Sequence, residues 1–210
     1  MTPITKLTTL LASALFQGLA TACYSFITTW AASGFGIEAV VISNILGILP
    51  GIVLSLLGGV LADRFDPRWL LFVGRAWLAL SLCFLALVPL DSPAPIYFVV
   101  FLWSIIGTIC SPAESTLVPS LFEKEAYLRV NARLNLVTDA TYLAAPLAAG
   151  YLHALQGLRP VALTAALLIF LSALVLFWLP RLPRSTTARL KLAFALEGFI
   201  PLFVIPSYAT

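Results

Sequence analysis

Apolar residues gather in six blocks of about 20 residues, the length needed to cross a hydrocarbon core of roughly 30 Å. They cover residues 7–30, 40–62, 69–89, 96–118, 134–155 and 161–179. The segments between them, 31–39, 63–68, 90–95, 119–133 and 156–160, hold the Gly, Pro, Asp and Ser residues expected of turns. Within each block the apolar residues run nearly unbroken rather than forming one stripe, the pattern of a helix that meets no water. The chain is therefore predicted to be an all-α integral membrane protein, with six transmembrane helices in residues 1–180. A basic cytoplasmic linker follows at 181–192, then an apolar tail at 193–210 that Glu197, Pro201 and Pro206 interrupt. The tail is too short to span and reads as the abortive start of a seventh helix.

Composition agrees with the pattern. The chain is 61% hydrophobic and 10% charged, whereas about a quarter of the residues in soluble domains are charged. The net charge of +3 matters less than its placement. Ten of the twelve Lys and Arg residues fall on one side of the predicted bilayer, Arg159 alone on the other, and Arg75 inside a span. By the positive-inside rule both termini face the cytoplasm. Lys6 precedes an apolar run longer than the core of a signal peptide, so this run reads as a retained first helix. Cys23, Cys83 and Cys110 lie within apolar blocks and suggest neither a disulfide framework nor a metal site.

The missing motifs exclude several functions. There is no phosphate-binding Gly-x-x-x-x-Gly-Lys-Ser/Thr loop, so the chain does not hydrolyse ATP itself. The single histidine, His153, can build neither a metal site nor a catalytic pair alone, and no Ser has Gly two residues before it, as an intramembrane serine protease would need. No enzyme activity, cofactor, metal or nucleic-acid partner is expected.

The most distinctive polar segment is Gly59-Val60-Leu61-Ala62-Asp63-Arg64-Phe65-Asp66-Pro67-Arg68, between the second and third spans. It resembles the loop signature of the major facilitator superfamily of secondary transporters, Gly-x-Leu-Ala-Asp-Arg-x-Gly-Arg-Arg/Lys. Positions 59, 61, 62, 63, 64 and 68 match, while Asp66 and Pro67 stand where Gly and Arg are usual. The resemblance implies two inverted three-helix repeats forming half of a twelve-helix fold. It also implies a cytoplasmic gate at Gly59, Asp63, Arg64 and Arg68, with Asp63 helping to hold the outward-facing state. A plainer reading is a short basic turn that enforces orientation. One internal echo fits the repeats: Asn44 and Gly59 are fifteen residues apart, as are Asn135 and Gly150.

Three further groups of residues are candidates. Arg75, Glu114 and Asp139 lie inside spans, where each charge costs at least about 2.5–3.5 kcal/mol and normally pairs or faces water. They could form a structural ion cluster, or leave one desolvated carboxyl free to carry a coupling proton. Gln17, Thr21, Tyr24 and Thr28 share one face of the first span, beside Ser25. Helix one lines the central cavity of the resembled family, so Gln17, Thr21, Tyr24 and Asn44 are candidate cavity-lining residues; hydrogen bonding between helices is the alternative. Pro146 and Gly150 resemble remnants of the antiporter signature Gly-x-x-x-Gly-Pro-x-x-Gly-Gly and imply a kink in helix five, unless they serve only close packing.

Residues 111–113 and 131–132, with the 195–199 segment, resemble the siderophore and macrolide exporter branch. The resemblance implies proton-coupled efflux of an amphiphilic small molecule by alternating access, in a bacterial-type inner membrane. The expected partners are the lipid bilayer, the substrate, protons, and either a C-terminal half or a homodimer partner. The alternatives are a truncated, non-transporting fragment and a half-size transporter working as a homodimer.

Overall fold

The computed structural model describes residues 2–179, and residues 56–64 through their backbone alone. The linker and tail expected at 181–210 lie outside the described residues. Six long helices account for most of the rest: α1 (Pro3–Ser33), α2 (Ile37–Arg64), α3 (Pro67–Leu87), α4 (Ala94–Ser115), α6 (Tyr127–Gln156) and α7 (Leu158–Phe177). A short helix, α5 (Leu117–Leu121), extends the line of α4, and a 3₁₀ turn at Lys124–Ala126 leads into α6.

Local chemistry sets the boundaries. Thr2 caps α1 by accepting the Thr5 amide, and Pro3 occupies the first turn. Gly36, at φ +99°, and Gly157, at φ +82°, supply the left-handed backbone that reverses the chain after α1 and after α6. Gly157 alone joins α6 to α7, a tighter connection than the expected 156–160 loop.

One expectation needs correction. The 119–133 connection is mostly helical, because α6 begins at Tyr127 and carries Arg129, Asn131 and Arg133 on its first turns. These residues are tolerated in a helix but not in lipid. Hydrophobicity therefore located the membrane-embedded part of α6 and missed its polar extension. The six long helices are those expected; among the described residues five of them pass as membrane spans on length and apolar composition together, α6 being the most polar of the set. It has the length, at 30 residues, but lies against α1 and α7 within the bundle.

The packing order shows the inverted repeat. α1 packs on α6 and α7, whereas α4 packs on α2 and α3, and α3 lies against α7. Exchanging α1 with α4, α2 with α6 and α3 with α7 maps this set of pairings onto itself. Each triplet has an odd number of spans, so the second must run opposite to the first. Asn44 and Gly59 on α2 thus correspond in order to Asn135 and Gly150 on α6. The common core joins Ala20 and Ile27 of α1, Leu82 of α3, Ile96 and Val99 of α4, and Val161, Ala165 and Ile169 of α7. The many alanines allow close helix approach in a medium where hydrophobicity alone brings no helices together.

Candidate functional site

Arg75 leaves α3 in the middle of the bundle and is only 4% exposed. A guanidinium in such surroundings needs acceptors for its donors, and here both terminal nitrogens find them while Nε is left without one. One nitrogen, Nη1, donates to Ser13 Oγ at 2.7 Å and to Ser172 Oγ at 2.6 Å. The other, Nη2, donates to Gln17 Oε1 and, at 3.0 Å, to Glu114 Oε1. Gln17 Nε2 in turn donates to the same Glu114 oxygen at 2.9 Å, and Ser172 Oγ donates to the Ser13 carbonyl at 2.8 Å. Helices α1, α3, α4 and α7 therefore meet at a single charged node. Bonds to ionised partners are roughly twice as strong as neutral ones, so this node fixes the registers of four helices.

The node is not sealed. The Glu114 side chain remains 36% exposed, on a cavity of about 340 Å³ lined by Gln17, Thr21, Arg75, Glu114, Thr138 and Tyr142 among others. The arginine is buried behind its partners while the carboxylate faces the space. Chemically, the arrangement presents a half-neutralised acid to whatever enters.

Asp139 does not join this group. It sits on an exposed face of α6, and the ion pairs found among the described residues are Arg75–Glu114 and Arg68–Asp66. Thr138 and Tyr142 line the cavity, and Asp139, one residue from Thr138, is turned about 100° away. The face expected on α1 divides in the same manner. Gln17 and Thr21 line the arginine cavity, whereas Tyr24 and Asn44 line a second recess. Tyr24 lies flat against Trp103, with ring centroids 3.8 Å apart.

At the motif turn, Gly59, Asp63 and Arg64 belong by backbone to the last turns of α2, and their side chains lie outside the described residues. Arg68 is described. Its Nη1 donates to the Leu179 carbonyl just beyond α7, and its Nε lies 3.7 Å from Asp66 Oδ1. The two departures from the signature have a local explanation. Asp66 caps α3 by accepting the Arg68 amide at 3.0 Å, and Pro67 opens the helix. Pro146 and Gly150 lie within α6; Pro146 borders an apolar recess with Phe26, Trp30 and Tyr142.

Several site residues were missed in the sequence. Ser13 lies four residues before Gln17, so extending the polar face of α1 by one turn would have found it. Ser172 gave only a weak signal, a lone hydroxyl in an apolar helix. Gly18 and Gly74 set the close approaches around the node: a Cβ on Gly18 would overlap Thr141 Oγ1, and one on Gly74 would overlap Cys110 Sγ.

A bundle of inverted triplets with a buried arginine and a half-open acid on a polar cavity defines a multi-pass membrane protein. Residues 10–206 match the model of the Major Facilitator Superfamily, and the chain belongs to that family, one of transporters rather than enzymes. A curated relative, the uncharacterized MFS-type transporter YfiS of Bacillus subtilis (strain 168), is 27% identical over 148 residues. That alignment covers 69% of this chain and 35% of the relative, so the matched region spans about a third of the relative's length.

Proposed function

We propose that the chain forms the N-terminal half of a secondary transporter that uses proton movement to drive efflux of an amphiphilic small molecule. The observation that carries this reading is Glu114: held by Arg75 on one side and open to the cavity on the other, it can exchange its arginine partner for a proton. Alternating access would then follow from the node, because loosening Arg75–Glu114 frees α4 to shift against α1, α3 and α7. The turn with Gly59, Asp63, Arg64 and Arg68 acts as the cytoplasmic gate, and Pro146 and Gly150 let α6 bend. The membrane is a bacterial-type inner membrane with both termini cytoplasmic, the orientation favoured by the distribution of Lys and Arg. The branch is that of the siderophore and macrolide exporters, supported by the resemblances at 111–113 and 131–132. A second half closing against this one completes the proposed cycle.

The test is ethidium accumulation in everted membrane vesicles from cells expressing the protein. Accumulation should require a pH gradient, collapse with a protonophore, and fall at least tenfold in Glu114→Gln. Asp139→Asn, which lies off the cavity, should keep its dependence on the gradient. If Glu114→Gln remains fully gradient-driven while Asp139→Asn does not, Asp139 is the coupling carboxyl and the assignment to Glu114 fails. Accumulation that ignores the gradient in the unmutated protein ends the proton-coupled reading.

A further inference from the structure

Where α3 ends and α7 begins, the bundle leaves a recess that shares no lining residue with the arginine cavity. It encloses about 230 Å³ and is lined by Leu85, Val88, Leu90, Leu158, Arg159 and Ala162. Leu85 and Ala162 are buried, Val88, Leu90 and Leu158 are half-buried, and Arg159 is exposed. An apolar hollow beside a single cation suits a ligand that is itself part oil and part anion.

Arg159 stands out in two respects. The distribution of Lys and Arg leaves it as the lone cation on the proposed outer side, against the bias that keeps such charges inside. It also takes no part in the ion pairs found among the described residues, although Asp91 stands exposed in the connection after α3. Its guanidinium carries five donors in a fork that matches phosphate oxygens.

Beyond Arg159 the same face of α7 continues apolar. Leu163, Leu167, Phe170 and Leu174 follow at steps of four, four, three and four residues, which keeps them on one stripe, and all four are exposed. From Leu163 to Leu174 the stripe runs about 16 Å at 1.5 Å per residue. That is half the depth of a hydrocarbon core of about 30 Å, one leaflet. Any helix facing lipid shows apolar residues; the cation and the hollow at its head distinguish this one.

We propose that this recess binds an anionic phospholipid of the outer leaflet. The Arg159 fork holds the phosphate, the glycerol region lies in the hollow, and one acyl chain follows the α7 stripe. A zwitterionic lipid is a poorer occupant, because its own cation beside the phosphate offsets the attraction to a second one. The lipid touches both α3 and α7, which come from different triplets and pack against each other, so it braces the seam between them.

The test reads binding rather than transport, so it stands apart from the proposed proton coupling. Native mass spectrometry of the full chain in a neutral detergent follows titration with dioleoylphosphatidylglycerol or dioleoylphosphatidylcholine. A saturable phosphatidylglycerol adduct, about fivefold tighter than that of phosphatidylcholine, is expected. Arg159→Gln should weaken it about tenfold, the loss of a charge-assisted contact. Arg159→Lys, which keeps the charge without the fork, should recover part of that loss. Leu90→Trp, in the connection after α3, fills the hollow and should weaken binding with Arg159 intact. Arg129→Gln, on the proposed cytoplasmic side, should change nothing, and excess ammonium phosphate should not displace the lipid. Equal binding of the two lipids overturns the proposal, as does binding indifferent to Arg159→Gln or to Leu90→Trp. Equal losses in Arg159→Gln and Arg129→Gln would show bulk charge attraction, and displacement by phosphate would show a simple anion site; either result overturns it.

Discussion

Arg75 is the residue on which the rest depends. Its charge is stable in the bundle only while Ser13, Gln17, Glu114 and Ser172 surround it. Replacing it with Met leaves the Glu114 carboxylate without its cation; because that carboxylate is 36% exposed, the loss is only part of what breaking a fully buried pair costs, about 3–5 kcal/mol. Removing both charges costs much less, because an apolar pair of similar volume needs no partners. Thermal unfolding in nanodiscs should therefore rank Arg75→Met below the unmutated protein, with Arg75→Met/Glu114→Leu recovering most of the loss. Equal losses in the two variants would mean that the ion pair is not what holds the node. The glycines beside the node set a second residue-scale test. Gly18→Leu must force α1 away from Thr141, and overpacking of this kind costs about 1–3 kcal/mol; the same unfolding assay checks it. Arg75 and Glu114 were legible as buried charges because any charge in an apolar block draws notice. Asp139 carried the same signal, and its place off the cavity was not readable, since helical phase depends on which neighbours each face meets.

Among the elements, α3 shows how a departure from a family pattern can have a local cause. Asp66 and Pro67 look like damage to a signature when read as letters, yet together they start a helix. Asp66→Ala should cost about 1 kcal/mol by loss of the cap, measured as a lowered unfolding midpoint. Asp66→Ser, which can still cap, should restore most of it. An unchanged midpoint in Asp66→Ala would remove the capping account. The six long helices were legible because a run of apolar residues of bilayer length has few other fates. The polar extension of α6 was not, since Arg129, Asn131 and Arg133 read equally well as a loop. Nor was the division of the α1 polar face. Helical spacing places Gln17, Thr21 and Tyr24 on one side, but they line two different recesses and Tyr24 stacks on Trp103, which could not be anticipated from α1 alone.

For the whole molecule, membership of the Major Facilitator Superfamily and the exchange of helix partners between triplets describe one architecture from two directions. The pairing of α1 with α6 and α7, mirrored by α4 with α2 and α3, leaves the node at the centre of both triplets, where a change in one partner is felt by four helices. Orientation belongs to this scale as well. Single cysteines placed at Ser92 and at Lys124 in a cysteine-free background should react with an impermeant maleimide from opposite sides, Ser92 from outside the cell and Lys124 only after permeabilisation. The reverse pattern would invert the proposed topology and with it the direction of transport. The central functional claim is the proposed proton-coupling role of Glu114, and infrared difference spectroscopy of the protein in a bilayer, recorded across a pH titration, addresses it most directly. A protonated-carboxyl band that is present in the unmutated protein and in Asp139→Asn, and absent from Glu114→Gln, is the result predicted here. A band that survives in Glu114→Gln and disappears in Asp139→Asn would contradict it.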